Sequence, residues 1–197
     1  MSELNPLTAY LCEAIDTTAA NIESISQKIE HACEILTNAL LNDKKIIICG
    51  NGLSHSIGNI LSTSLLTQQE FARPGLPAIN LSIDSTSILT VSKNNSQHQV
   101  FAHQINAIAN ENDILITFSV DGNCSNIIQA IQAAHEKHVH VVSICGFGKG
   151  KVSAVLQSED ISIDIDSSSV ARVLEIQLLI SNSLCHQLEA TLFDGMA

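Results

Sequence analysis

The sequence predicts an α/β protein with a parallel sheet. Five short segments rich in β-branched residues are separated by stretches long enough for crossover helices. The first, third and fourth segments are nearly continuous hydrophobic runs, which is typical of strands covered on both faces. The 197 residues fit one globular domain, spanning 1–197, with enough core to fold without disulfides or metals.

The predicted elements begin with a helix. Apolar residues recur at three- and four-residue steps over 22–40, which predicts an amphipathic helix in the N-terminal segment 1–42. The α/β core follows at 43–167. Its last strand alternates isoleucine with polar residues, which indicates an edge strand with one solvated face. The five predicted strands are 44–49, 77–82, 113–119, 138–145 and 160–166.

A second long helix is predicted in the C-terminal segment 168–197. Three serines at 167–169 can cap it, and it runs from Val170 to about Leu192 without a glycine or proline. Its stretch 173–188 is apolar on more than one face, which would expose much apolar surface on a monomer. We therefore expect both terminal helices to pack between subunits.

Composition excludes several function classes. The chain has 9 Lys+Arg against 20 Asp+Glu, a net charge of −11, and only 3% aromatic residues, so direct nucleic-acid binding is disfavoured. No apolar run is long enough to span a bilayer. The first basic residue is Lys28, unlike the start of a signal peptide, and the six cysteines form no CxxC pair. We expect a cytoplasmic protein with reduced thiols.

Two loops at predicted strand ends carry the residues for a ligand site. The first, at 49–55, reads Cys-Gly-Asn-Gly-Leu-Ser-His, and its amides and hydroxyl can receive a phosphate at a helix N-terminus. A plain βα turn would need the same residues. The second loop, at 119–125, follows the third strand, and loops at adjacent strand ends form the crevice where such sheets bind ligands. The candidate ligand-binding residues are Asn51, Gly52, Ser54, Ser119, Asp121, Asn123 and Cys124.

The chain resembles the sugar isomerase (SIS) domain family over nearly its whole length. The resemblance rests on the Cys-Gly-Asn-Gly loop, Arg-Pro-Gly-Leu-Pro-Ala-Ile at 73–79, and Gly-Asn at 122–123. Within the family, the chain most resembles the single-domain branch, which holds phosphoheptose isomerases and the DnaA initiator-associating proteins. The resemblance implies a flavodoxin-like sheet of order 2-1-3-4-5 and a homotetramer with sites between subunits.

The same resemblance implies that proton-transfer residues are missing. Aldose–ketose conversion needs a base beside the carbonyl and a group that moves the oxygen-bound proton. A His and a Glu on the isomerases' helix after the first loop fall on Ile60 and Ser64 here. A Gln and a His on their last helix fall on Leu174 and Asn182. We therefore expect no catalytic residue, no metal and no cofactor.

The second loop also departs from the family. Isomerases resemble Ser-Thr-Ser-Gly-Asn-Ser where this chain has Ser-Val-Asp-Gly-Asn-Cys at 119–124. Asp121 thus brings a negative charge to the place where a phosphate would lie, at a cost of about 1 kcal/mol or more.

The C-terminal end resembles that of the DnaA-associating proteins. Leu192 and Phe193 follow Thr191 as in their tails, and we expect this pair to be exposed and to contact DnaA. The leading hypothesis is a catalytically silent tetrameric scaffold that binds the replication initiator DnaA and promotes its assembly at the origin. The alternative is a phosphoheptose isomerase-type enzyme, or a sensor of sugar phosphates such as sedoheptulose 7-phosphate. A carboxylate that reached the crevice, Glu70 or Glu175, would favour the isomerase.

Overall fold

A five-stranded parallel sheet forms the centre of the computed structural model, which describes residues 5–68, 72–148 and 150–193. The strand order is β2-β1-β3-β4-β5, as the resemblance implied, and every pairing is parallel. The predicted fold class is therefore confirmed. The strands are β1 (Ile46–Gly50), β2 (Ala78–Asn80), β3 (Ile114–Ser119), β4 (His140–Cys145) and β5 (Ile161–Asp164).

Six α-helices in the described part of the chain flank the sheet. They are α1 (Pro6–Leu41), α2 (Gly52–Leu66), α3 (Ser85–Asn94), α4 (Val100–Ile108), α5 (Ser125–Glu136) and α6 (Val170–Leu192). Two short 3₁₀ turns lie at Gln97–Gln99 and Gly150–Ala154. None of these helices has both the length and the apolar character needed to cross a membrane.

The two sheet faces bury separate hydrophobic clusters. Ile46, Ile48 and Phe118 face the cluster that contains α1, α2 and α6 residues, whereas Ile47 and Leu115 face the cluster with α4 and α5 residues. This alternation follows from the period-two geometry of a strand. β5 has Ile161 and Ile163 buried with the intervening side chains partly exposed, which confirms the predicted edge strand.

The terminal helices pack against each other within one chain. Ile25 and Leu36 of α1, and Ile180 and Leu184 of α6, are buried in the same core cluster. The prediction that these residues pack between subunits is therefore wrong, because the core of the same chain covers them. Exposed apolar side chains cluster on the first half of α1, at Leu7, Leu11, Ile15 and Ile22, and others lie at Leu41, Val170 and Leu179.

The register of the central strands aligns the two candidate loops. Gly50 at the end of β1 pairs with Phe118, one residue before the end of β3. Both strands therefore stop at the same edge of the sheet, and the loops that follow them lie side by side.

Candidate functional site

The first loop leaves β1 through a tight glycine turn. A Cβ on Gly50 would lie 3.2 Å from both the Phe118 Cβ and the Ser54 carbonyl oxygen, which is closer than side chains normally pack. Gly52 adopts a left-handed φ of 55°, which favours glycine, and it opens α2 on the exposed side of the loop. The Ser82 hydroxyl holds the strand end by bonding both the amide (3.1 Å) and the carbonyl (3.0 Å) of Gly50.

Two predicted ligand-binding serines connect the loops to α6. The Ser54 hydroxyl donates to Gln177 Oε1 at 2.9 Å, and Gln177 Nε2 donates to the Ser119 carbonyl at 2.9 Å. The Ser119 hydroxyl accepts the Gly122 amide at 2.9 Å. All three side chains are buried, so in this structure the serine hydroxyls hold the loops in place. Their contact with a ligand stays a prediction.

The second loop is a self-bonded turn. Asp121 Oδ1 accepts the Asn123 amide at 3.0 Å, and the Asn123 side-chain amide returns a bond of 3.0 Å to the Asp121 carbonyl. Asn123 Oδ1 accepts the Lys151 amide at 3.2 Å, which ties this turn to the loop after β4. Asn123 is exposed, and Asp121 and Cys124 are half-buried, so all three are accessible from the crevice.

A pair of asparagines joins the two loops. Asn51 Nδ2 donates to Asn126 Oδ1 at 2.7 Å, and Asn126 Nδ2 donates to Asn51 Oδ1 at 2.9 Å. Asn126 lies in the first turn of α5, directly after Ser125. The structure thus brings the predicted loops together, although the sequence analysis missed Asn126 and Gln177. No local pattern marks these residues, since their role depends on a partner far along the chain.

An imidazole–hydroxyl pair lies next to these asparagines. His98 Nδ1 is 2.6 Å from the Ser125 Oγ, and both residues are exposed. A second imidazole, His55, belongs to the first turn of α2 and is partly exposed. Among the residues that the structure describes, none hydrogen-bonds its buried Nδ1. These side chains are the titratable bases on the crevice elements η1 (Gln97–Gln99) and α2.

The carboxylate that could have restored the isomerase site points elsewhere. Glu175 Oε1 is 2.9 Å from Arg172 Nη2, and the Glu175 side chain is 47% exposed. Gln177, two residues further along α6, is the side chain that faces the loops. Glu70 lies outside the described residues.

The four positions that the resemblance aligns with isomerase residues carry no acid or base. Ile60 is 42% exposed on α2, Leu174 packs partly buried against the core, and Asn182 is exposed on α6. The Ser64 carbonyl accepts a bond of 2.8 Å from Arg73. A zinc ion does not fit this set, because the isoleucine and leucine side chains have no ligand atom.

The predicted partner-binding pair packs on the core. Leu192 and Phe193 are partly buried against the α1–α6 cluster, and the Phe193 ring lies 5.8 Å from the Arg73 guanidinium. Arg73 in turn forms an ion pair of 2.7 Å with Glu189, and both side chains are almost fully buried. Leu192 and Phe193 are therefore less exposed than predicted. The last turn of α6 packs on the buried Arg73–Glu189 ion pair.

This sheet order, with two loops joined at the carboxyl edge, defines a doubly wound α/β fold of the kind that binds ligands at the strand ends. The SIS domain model matches residues 9–146, and the chain belongs to the SIS domain family. The phosphoheptose isomerase of Shewanella denitrificans is 36% identical over 92% of both chains, and that of Halorhodospira halophila is 38% identical over 88% of both. The solved phosphoheptose isomerase of Francisella tularensis is 30% identical, with a TM-score of 0.90 over 95% of this chain and 98% of that one.

Two predictions are wrong in the light of these relatives. The leading hypothesis was a catalytically silent scaffold for DnaA, and the loss of the family's catalytic residues favoured a protein without enzymatic activity over an enzyme. Relatives that match about nine-tenths of the chain are phosphoheptose isomerases by name. They favour the alternative, an isomerase-type enzyme, over the scaffold.

Proposed function

We propose that this chain is a sugar-phosphate isomerase that acts on a phosphorylated ketose of the sedoheptulose 7-phosphate class. The observation that carries the proposal is the Asn51–Asn126 pair, which closes two amide-rich loops over the carboxyl edge of β1 and β3. That edge is where open parallel sheets bind their ligands. The likeness to named phosphoheptose isomerases over most of the chain supports the same class of substrate.

The sugar phosphate binds between the two loops. Gly52 and Asn123 are exposed there, and the N-termini of α2 and α5 favour a negative charge. The Asp121 carboxylate lies in the same turn as Asn123 and repels the phosphate. Binding therefore depends on hydrogen bonds from the loops and on the sugar hydroxyls more than on charge.

The reaction proposed is aldose–ketose isomerisation. A base takes the proton from the carbon beside the carbonyl and returns it to the neighbouring carbon, while a hydroxyl proton moves between the two oxygens. The aligned family positions Ile60, Ser64 and Asn182 cannot serve as this base. The base must therefore come from another residue at the crevice.

The proposed enzyme is a cytoplasmic homotetramer. Leu7, Leu11 and Ile15 leave an apolar face on the first half of α1, which a second copy would cover. The free cysteines, four of them buried, suit a reducing compartment.

Two measurements test the function. Calorimetric titration with sedoheptulose 7-phosphate should show saturable binding that unphosphorylated sedoheptulose lacks, and proton NMR should show conversion to the aldose phosphate. Asp121→Asn keeps the acceptor for the Asn123 amide but removes the charge, so it should tighten binding about fivefold. Ser158→Ala, an exposed change beyond the other end of the sheet, should alter nothing.

The same experiment can contradict the proposal. A protein that neither binds nor converts the sugar phosphate is not an isomerase of this class. Equal affinity for the phosphorylated and unphosphorylated sugars would mean that the protein does not recognise the phosphate group.

A further inference from the structure

We propose that His98, held by Ser125, is the proton-transfer base of this crevice. The inference rests on the proposed function, which requires such a base. Sequence resemblance gives His98 no role, and the position lies on a short 3₁₀ turn between α3 and α4.

Location is the first support. Ser125 and Asn126 are consecutive residues in the first turn of α5, and each bonds a different crevice element. Ser125 bonds His98 at 2.6 Å, and Asn126 bonds Asn51 of the first loop at 2.7 Å. The imidazole therefore lies beside the loop pair that defines the crevice.

Accessibility is the second support. His98 and Ser125 are exposed, so the ring is open to a ligand that approaches from solvent beside the loops. The other crevice imidazole, His55, has a buried Nδ1 that no described residue hydrogen-bonds. A positioned base needs both access and a partner that fixes its ring, and His98 has both.

The hydrogen bond sets which nitrogen is free. When His98 Nδ1–H donates to the Ser125 Oγ, the lone pair of Nε2 is left to act as the base. Nε2 then takes a proton from C1 of the ketose, and the electron pair of that C–H bond forms the C1–C2 double bond of an enediol.

The imidazolium closes the reaction by returning its proton to C2. As the enediol forms, the electron pair of the C2 carbonyl moves to O2, which takes a proton from water. The O1 proton returns to water as the aldehyde carbonyl forms, so one proton passes from O1 to O2 through solvent. The sugar loses one proton each from C1 and O1 and gains one each at C2 and O2, so no oxidant or reductant is needed. Ser125 is a positioning residue in this scheme, because it acts only through the ring.

The test compares matched histidine variants in the sedoheptulose 7-phosphate assay. His98→Gln should lower kcat by at least about 100-fold with KM changed less than about threefold. Ser125→Ala should lower kcat about 5- to 20-fold, and Ser125→Thr should restore it because the hydroxyl returns. His103→Gln, an exposed histidine on α4, should match the parent enzyme.

Each remaining outcome has a distinct meaning. If the parent enzyme turns over and His98→Gln retains its kcat, the inference is wrong and the isomerase function stands. The inference also fails if His55→Gln abolishes turnover while His98→Gln does not. A parent enzyme without turnover overturns the proposed function itself. Circular dichroism of His98→Gln should match the parent, since the side chain is exposed.

Discussion

Gln177 shows how one buried amide can organise a whole crevice. It accepts from Ser54 on α2 and donates to the Ser119 carbonyl at the end of β3, while it belongs to α6 itself. Both bonds are shielded from water, so water cannot replace either of them.

Gln177→Leu should therefore destabilise the chain by about 1–3 kcal/mol, because it removes the acceptor of the buried Ser54 hydroxyl and one of the two hydrogen bonds to the Ser119 carbonyl, which keeps the Gly146 amide at 3.3 Å. Urea unfolding followed by circular dichroism measures the change. Gln187→Leu, on the exposed face of the same helix, should cost less than about 0.5 kcal/mol. Equal losses from both variants would mean that the bonds to Gln177 contribute nothing.

The buried cysteines give a second residue-level prediction. Burial raises the pKa of Cys33 and Cys185 to about 12, and it raises the pKa of Cys49 further. Since only the thiolate is nucleophilic, these three thiols should resist iodoacetamide at pH 8 until the chain unfolds. Mass spectrometry of the alkylated peptides along a urea series checks this, with half-buried Cys124 as the reference. Alkylation of any of the three in native buffer as fast as Cys124 would contradict it.

Residue chemistry also limits what the sequence could predict. The loops were found because glycine turns after hydrophobic strands have a local signature, and Gly52 does adopt the left-handed conformation. The use of the Ser54 hydroxyl could not be predicted, because its partner lies 123 positions away on α6. The role of Asn126 could not be predicted for the same reason, because its partner Asn51 lies 75 positions away.

At the scale of elements, the end of α2 depends on Arg73. Its guanidinium donates to the Ser64 and Leu65 carbonyls at 2.8 and 2.9 Å, and its Nε donates to Glu189 of α6 at 2.7 Å. One side chain thus caps one helix and attaches it to another.

Arg73→Met should cost about 3–5 kcal/mol, because Glu189 would remain as a charge in a nearly dry site. The double variant Arg73→Met with Glu189→Met should recover part of that loss, since apolar replacements of a buried pair are often nearly neutral. Urea midpoints measure both. Glu34→Gln, exposed on α1, is the control, and a double variant no more stable than Arg73→Met would contradict the argument.

Strands and helices were predicted best where burial is complete. The runs that became β1, β3 and β4 are hydrophobic because both sheet faces are covered, so their positions were clear within about two residues. β2 is shorter than its predicted segment, because the chain turns after Asn80, whose side chain accepts the Ser82 amide. The apolar stripes identified α1 and α6, but a stripe does not say whether its partner is the chain's own sheet or another subunit.

At the scale of the whole molecule, the first half of α1 should drive assembly. Leu11 is 53% and Ile15 is 68% exposed, one turn apart on a single helix face. Leu11→Glu with Ile15→Glu should convert the proposed tetramer to smaller species without unfolding the chain, since the buried part of α1 begins at Asn21. Light scattering and circular dichroism measure the two properties.

Glu13→Gln with Asp16→Asn, exposed polar changes on the same stretch, should leave the mass unchanged. A monomeric parent protein at micromolar concentration would contradict the prediction. So would a tetramer that survives the glutamate substitutions.

The length of α1 has a consequence for dynamics. The helix has 36 residues, or about 54 Å, but its fully buried residues start at Asn21, whose side chain bonds both the amide and the carbonyl of Asp166. Amides after that anchor should exchange with deuterium only when the core opens. In a separated chain, the amides before Asn21 have little besides the helix's own hydrogen bonds to slow their exchange, apart from the contact of Tyr10 with Arg172. Amide exchange in the second half of α1 should thus report global unfolding, and amide exchange in the first half should report subunit separation.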